Sequence, residues 1–562
     1  MKKFLLRLCI VLSAVLLLLL VSCAEEQDPP AATMSEASLQ EMENTSADTS
    51  DEYGDLPAES SAPSSGTGED QPAQPEPNNS AHPEDSREEI PSEDSWWEES
   101  GELSSDSYPP EDYDPPATVD PCGREINILC AEFLSVAGLP YTGEVITDSE
   151  ASFGRLDIAK QTVIDRIEAE YGVTINGEVI ESHQVYDRVV NMVLAGVYEY
   201  DLIFANSRTA QNLLSNGLLT DLNSVSTIHL EQPWWDQNAV KELSIGGKLF
   251  WICGDINTQD NMSTMCVLFN KDLKEELEIQ TDFYRLVKEG LWNMDTFMEI
   301  CQGVTEDLNG DGLDEHDRWA VGTEKFHIYT HLAGGGIPIA GKAESDDLPY
   351  LTLDMGTDST YKGLQKILGF YNGNEVMVAN GGKYNHYANP WEATVMKAFT
   401  EGRELFYICS INQVIPFRNM EDEFGILPIP KLYAEQDRYY STASPDYSSY
   451  MMIPYGVPEV EELGVVVEAL AMNSRQWVTD EFYEVLLRFR DARDEDSREM
   501  LDIIFENRFF DLGLSYNWGN ISSCYTNLDA ESMETRFDGV LGAAQQALRQ
   551  TVDRLTELEL VN

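Results

Sequence analysis

Short β-branched runs alternate with amphipathic stretches from residue 125 onward, and this pattern predicts the fold. Glu125-Ile126-Asn127-Ile128-Leu129-Cys130 reads as a strand, after which Asp157, Ile158, Val163, Ile164, Ile167 and Tyr171 recur at helical spacing until Gly172. Val173 to Ile180 alternates as a second strand. Tyr186, Val189, Val190, Met192, Val193 and Leu194 mark a second helix that stops at Gly196, and Tyr200-Asp201-Leu202-Ile203-Phe204-Ala205 is a third strand. A β-α-β-α-β series predicts an α/β fold with a parallel sheet covered on both faces. Ligands of such sheets settle beyond the carboxyl ends of the strands, which places Glu132 with Phe133, and Asn206 with Ser207, at the expected crevice.

The N-terminal end follows a different pattern. Lys2, Lys3 and Arg7 precede an apolar run from Leu8 to Val21, the layout of an export signal. As a helix these 14 residues would reach about 21 Å, short of the ~30 Å hydrocarbon core, so the run is not expected to persist as a membrane span. Leu20-Val21-Ser22-Cys23 resembles the lipobox of bacterial lipoproteins, which implies cleavage before Cys23 and acylation of that residue. From Ala24 to Asp120, 28 acidic residues face the single Arg87, and Ser and Pro replace any hydrophobic period. Such a segment does not fold alone and is expected to be a disordered acidic tether with a span of about 55 Å. The expected division is a signal peptide over 1–23, a linker over 24–122 and a folded domain over 123–562.

Charge and cysteine usage narrow the function. The net charge of -64 argues against nucleic acids and anionic substrates as partners, since both need positive potential. Cys122, Cys130, Cys253, Cys266, Cys301, Cys409 and Cys524 remain after the signal, with no CxxC or Cys/His metal spacing. Seven is odd, so at least one thiol is expected to stay free unless it pairs between chains. Buried cysteines acting as small hydrophobes are the expectation for most of them.

A series of segments then points to a known family. Ala195-Gly196, Tyr200 to Ile203 and Gly217-Leu218-Leu219-Thr220-Asp221-Leu222 come first, then Gly247 to Trp251 and Val267-Leu268-Phe269-Asn270-Lys271-Asp272-Leu273. Trp292 to Phe297, Phe399 to Phe406, Phe424 to Pro430 and Tyr450 to Pro454 follow. In this order they resemble the family 1 extracellular solute-binding proteins of ABC importers. The resemblance implies a two-lobed periplasmic-binding-protein-like fold of type II, with a hinge and an interlobe cleft. Lobe one is then expected over about 124–262 and 447–505, and lobe two over about 263–446 and 506–562. It also implies a monomer, anchored to the membrane through its lipid, that takes a small solute, a sugar by expectation, to an ABC permease.

Individual residues give candidate chemistry. A sugar offers an apolar C–H face and many hydroxyls, so aromatic faces beside convergent polar groups suit it. Trp234 and Trp235 lie in a polar, Pro-containing segment and are candidates for stacking on a ligand, whereas Trp251 is expected in the core and Trp292 as a staple at a helix start. Ser410 and Asn412 follow a strand that in the resembling family leads into the cleft. Asp446 and Tyr447 precede the returning strand; Asp446 would accept ligand hydroxyls, and Tyr447 either stacks on ligand or packs. Asp307-Leu308-Asn309-Gly310-Asp311-Gly312-Leu313 resembles a calcium loop, with side-chain oxygens from Asp307, Asn309 and Asp311, the Leu313 carbonyl, and Asp317 as closing carboxylate. Arg318 stands where such a loop ends in Glu, so a polar turn without metal is the alternative. No cofactor is required beyond this possible structural calcium.

Catalytic signatures are missing from the sequence: there is no HExxH, GxSxG or GxxxxGK[ST], and the seven histidines are scattered. The expectation is therefore a binding protein and not an enzyme. An exported carbohydrate-active enzyme and a tethered surface adhesin are the rival readings.

Overall fold

In the first sheet, the apolar run that begins at Glu125 becomes β1 (Glu125–Leu134), extended at its far end by the short β2 (Pro140–Tyr141). β3 (Thr174–Glu181) and β4 (Leu202–Ala205) lie parallel to β1 on its two sides, with Glu132 opposite Glu181 and Cys130 opposite Phe204. The helices Arg155–Tyr171 and Ser182–Ala195 connect them, each ended by a left-handed glycine, Gly172 at φ 66° and Gly196 at φ 65°. Glycine reaches this conformation without a Cβ clash, which is why both stops are readable in the sequence.

This computed structural model describes residues 119–134, 140–141, 144–146, 154–345, 347–355, 358–488 and 495–559. The signal peptide, Cys23 and the linker as far as residue 118 lie outside the described residues, which all belong to the unit Ile90–Asn562.

The second sheet contains β5 (Met265–Asn270), β6 (Trp319–Thr323), β9 (Val376–Val378), β10 (Glu404–Ser410) and β11 (Phe424–Leu427), in the order β9-β6-β10-β5-β11. Two minor pairs complete the described strands, β7 (Ala340–Lys342) with β8 (Pro349–Leu351), and β12 (Ser441–Thr442) with β14 (Arg508–Phe509). β6, β9 and β10 are parallel, while β5 runs antiparallel between β10 and β11. β13 (Tyr450–Met452) plays the equivalent part in the first sheet, antiparallel to β4, with Ile252 bridging it from the other side. The molecule is therefore two α/β lobes, each sheet taking one antiparallel strand from the chain as it crosses between them.

Two helices near the C-terminal side border both sheets. The helix Val460–Arg488 packs on the first-lobe helix Arg155–Tyr171, whereas the helix Glu495–Glu506 packs on β11 of the second sheet. Lys288 pairs with Asp496 at 2.5 Å, and Tyr284 Oη lies 3.1 Å from Ser497 Oγ. The helix Glu495–Glu506 therefore touches both lobes, because its Phe505 also lies against Phe482 and Tyr483 of the helix Val460–Arg488.

Local rules explain the second-lobe core. Asn293 caps the helix Met294–Cys301, accepting from the amides of Asp295 and Thr296, and Trp292 just before it meets Phe297 at 5.4 Å, edge to face. This is a hydrophobic staple, and both rings then pack on Phe406 of β10. Trp251 is buried in the first lobe, as expected.

Under the first lobe, Glu468 is 1 % exposed and accepts from the His229 amide at 3.2 Å and from the indole N–H groups of Trp234 at 3.0 Å and Trp235 at 3.1 Å. Burial outweighs these donors and pushes its pKa up to about 7. In the unfolded chain a glutamate titrates near about 4.3. The folded state thus keeps a proton that the unfolded state loses, so this stabilisation is complete below about pH 4 and is lost as pH rises through about 7. The expected loss is on the order of 3 kcal/mol. Denaturant melts between pH 4 and 8 should show it, and Glu468→Gln should flatten the slope by that amount while Glu242, also pushed up to about 7 by burial, retains its own share.

Candidate functional site

The carboxyl ends of the parallel strands are Glu132 on β1 and Asn206 after β4 in the first lobe, and Glu324, Ala379 and Ser410 in the second. The segments around 258–264 and 443–449 join the lobes beside these ends, and the turn 411–414, between β10 and β11 of the second lobe, lies against the first of them. The Ile411 amide donates to Thr264 O at 2.9 Å, the Ser444 amide to Ser263 O at 3.1 Å, and Ser263 Oγ lies 2.6 Å from Ser448 Oγ. Asn257 Nδ2 donates to Ser449 O at 3.1 Å. These bonds hold the hinge segments side by side at the edge of the crevice.

Three of the residues singled out in the sequence meet here. Asn206 caps the helix Ser207–Ser215 by accepting from the Thr209 amide at 2.9 Å, and its Nδ2 donates to Asp446 O at 3.2 Å. Ser207 Oγ donates to Pro445 O at 3.0 Å. Their neighbour Arg208, which the sequence pattern did not single out, forms a two-point ion pair with Asp446: Nη2 donates to Oδ2 at 3.2 Å, and Nε donates to Oδ1. The two charged side chains are 39 % and 45 % exposed, so they face solvent while locking residues 206–208 to 445–446. Tyr447 beside them is half-buried. The only sequence hint to Arg208 was its place on the first turn after the third strand.

Ser410 and Asn412 pair with each other, Ser410 Oγ donating to Asn412 Oδ1 at 2.7 Å, and they join the same hinge through the Ile411–Thr264 bond. Gln413 is buried with its Oε1 unpaired among the described residues. On the second-lobe side, Asn380 accepts from the Lys325 amide at 2.8 Å and reaches Glu324 at 3.4 Å. Glu132 is half-buried at the end of β1, and the side chain of Phe133 lies outside the described residues. Chemically, the arrangement offers carboxylate, guanidinium, amide and hydroxyl groups from both lobes, which suits a neutral, hydroxyl-rich guest.

Trp234 and Trp235 are not there. At 0 % and 1 % exposure, with both indole N–H groups committed to Glu468, they have no free face for stacking. Their segment does reach the surface at Glu231 and Pro233, but both indoles turn inward to Glu468 on the helix Val460–Arg488.

The loop around Asp307 precedes the amino end of β6, opposite the crevice. Asp307 accepts from the amides of Gly310 at 2.6 Å and Gly312 at 2.9 Å, which lowers its pKa, and Asn309 accepts from the Asp311 amide at 3.0 Å. Asp317 is buried, its two oxygens accepting from Leu308 N and Asp314 N, and Lys383 Nζ donates to Leu313 O at 2.5 Å. Asp307, Asn309 and Asp317 thus already accept backbone amides through the oxygens a cation would use, and Leu313 O accepts from Lys383. The donor set fits calcium only in part.

A family model described as bacterial extracellular solute-binding protein matches residues 162–463. No curated protein matches the sequence. Among solved structures, a cyclo/maltodextrin-binding protein complexed with maltotetraose is similar at 13 % identity and TM-score 0.47, covering 77 % of this chain and 96 % of that one. M. tuberculosis UspC is similar at 11 % identity and TM-score 0.48, covering 76 % and 100 %. The maltose-binding periplasmic protein MalE from Listeria monocytogenes, in complex with maltose, is similar at 12 % identity and TM-score 0.46, covering 77 % and 98 %.

Burial of the tryptophan pair has a measurable consequence. Trp234→Phe or Trp235→Phe keeps a ring but strips one donor from a buried carboxyl, and each should cost about 1–3 kcal/mol of stability in denaturant melts. A surface stacking residue would instead give a change within about 0.5 kcal/mol.

Proposed function

We propose, for a chain that belongs to the family of bacterial extracellular solute-binding proteins, that it captures a small carbohydrate between its lobes, delivers it to an ABC permease and catalyses nothing. The observation that carries this reading is the half-exposed Arg208–Asp446 pair, which ties the first turn after the third strand to the segment returning from the second lobe. A charged pair engaged at two points is pre-organised, so it can bind hydroxyls with little loss of side-chain freedom. A guest that touches Asp446 in one lobe and Asn412 in the other interacts fully only when both are near, so binding shifts the population toward the closed form. Lipidation at Cys23, a tether over 24–122 and a monomeric state complete the proposal, with membrane attachment through acyl chains alone.

The test is a thermal-shift screen of residues 119–562 against sugars, polyols and peptides. A sugar should raise the melting temperature, since ligand at 100 times its dissociation constant adds about 2.7 kcal/mol to the folded state. Asp446→Ala should weaken that sugar at least about tenfold, the value of losing one charge-assisted contact of roughly 1.5 kcal/mol. Stabilisation by peptides alone, or release of sugar product from a polysaccharide, would remove the reading.

We further propose that the 307–317 loop takes calcium as a structural ion through Asp307, Asn309 and Asp311, the ion displacing Lys383 from the Leu313 carbonyl. Calcium should then raise the melting temperature, and Asp311→Ala should abolish the rise. Identical melts in calcium and in chelator would show that the loop is a metal-free polar turn.

A further inference from the structure

Cys266 on β5 and Cys409 on β10 lie directly opposite each other in an antiparallel pair, with Val267 facing Ile408 and Met265 facing Ser410 on either side. Opposed residues in such a ladder have Cα atoms about 4.5 or about 5.5 Å apart, depending on their place in the hydrogen-bond pattern. A disulfide requires about 4.4–6.8 Å, so both settings allow the bond without moving the backbone. Directly opposed residues also send their side chains to the same face of the sheet. The structure holds both as thiols, buried at 0 % and 3 % exposure. Cys130, in contrast, faces Val179 and Phe204 across its neighbouring strands.

We infer that Cys266 and Cys409 form an intramolecular disulfide in the exported protein. Family membership places the chain outside the cell, where such bonds persist. One thiolate attacks the disulfide of an extracytoplasmic thiol oxidant, expelling one of its sulfurs and forming a mixed disulfide. The second cysteine then attacks the mixed disulfide. Its S–S bond replaces the oxidant's, and the oxidant leaves as a dithiol carrying the two electrons and two protons. This exchange precedes the docking of β10 on β5. Once the strands are paired, burial and the neighbouring thiol push the Cys409 thiol well above its ordinary range and close it to reagents.

The bond's position gives it a structural task. β5 is the strand that enters the second lobe directly after the hinge residues 258–264, and β10 ends at Ser410, next to Asn412. A crosslink one residue from both ends fixes the register of the two strands exactly where the crevice begins to depend on it, and it closes a long loop in the unfolded chain.

The experiment starts from the full chain, exported by a bacterial host and quenched in acid. Free thiols are blocked with N-ethylmaleimide under denaturing conditions, and the digest is mapped by mass spectrometry before and after reduction. In most molecules the peptide containing Cys266 should appear joined to the peptide containing Cys409, with the blocking group on Cys130, Cys253, Cys301 and Cys524. Unfolding and refolding with a dithiol reductant should lower the melting temperature by roughly 5 °C, and the Cys266→Ala/Cys409→Ala double variant should not respond to reductant. Blocking groups on both Cys266 and Cys409 in the exported protein, or a bond from either to a different cysteine, would overturn the inference. Mapping the wild-type chain keeps the test decisive even if the double variant folds poorly.

Discussion

The rest of the structure depends on backbone hydrogen bonding across the crossover. A strand inside a sheet has polar groups on both edges that must be paired, and β5 satisfies them between β10 and β11. It reaches that position only because the chain leaves the first lobe there. β13 returns the arrangement, pairing with β4 on one side and bridged by Ile252 on the other. Neither sheet is complete without a strand delivered by the crossing chain. The hinge segments are therefore anchored at both ends by ladders whose loss would leave buried N–H and C=O groups unpaired, which confines flexibility to the few residues between them.

Charge reinforces this confinement. Arg508 is nearly buried and engages Asp236 at 2.7 Å, Asp260 at 2.5 Å and Asn261 Oδ1 at 2.6 Å. Asp236 caps a first-lobe helix, Asp260 belongs to the hinge, and Arg508 sits on β14, paired with β12 just before the returning segment. A buried ion cluster of this kind contributes little net stability, because desolvation offsets the Coulomb attraction. Its value lies in geometry: any arrangement that separates the three segments strands charge in a low-dielectric interior. The cluster thus penalises wrong hinge conformations more than it stabilises the right one.

What the sequence revealed was local. Helix ends at Gly172 and Gly196 and the Trp292–Phe297 staple each involve residues within a turn or two, and all appear where their patterns predict. The third strand runs from Leu202, and Asp201 just before it still donates its amide to Asn127 O at 2.8 Å while its side chain accepts from Arg124 and the Asn127 amide. The misplaced residues share a different origin. Trp235 and Glu468 are 233 positions apart, so nothing near Pro233 signals that a buried acceptor awaits both indoles. Asn206 and Ser207 could be placed directly after the third strand because the strand-helix alternation carries topology, whereas Arg208 becomes recognisable only once Asp446 is beside it.

The acid excess and the crevice belong together. The folded domain bears 72 acidic against 32 basic residues, so its field repels anions at any distance the solvent does not screen. Arg208 stands out against that background, yet it is already matched by Asp446 at two points and offers no uncompensated positive charge. An anionic guest would have to compete with Asp446 for the guanidinium and approach against the field, and a cationic guest would have to displace Arg208 from Asp446. A neutral polyhydroxyl guest does neither, since it can donate to the outer carboxylate lone pairs and accept from the remaining guanidinium N–H groups while the ion pair stays intact. On the proposed reading, the pairing of these two residues therefore favours a neutral solute.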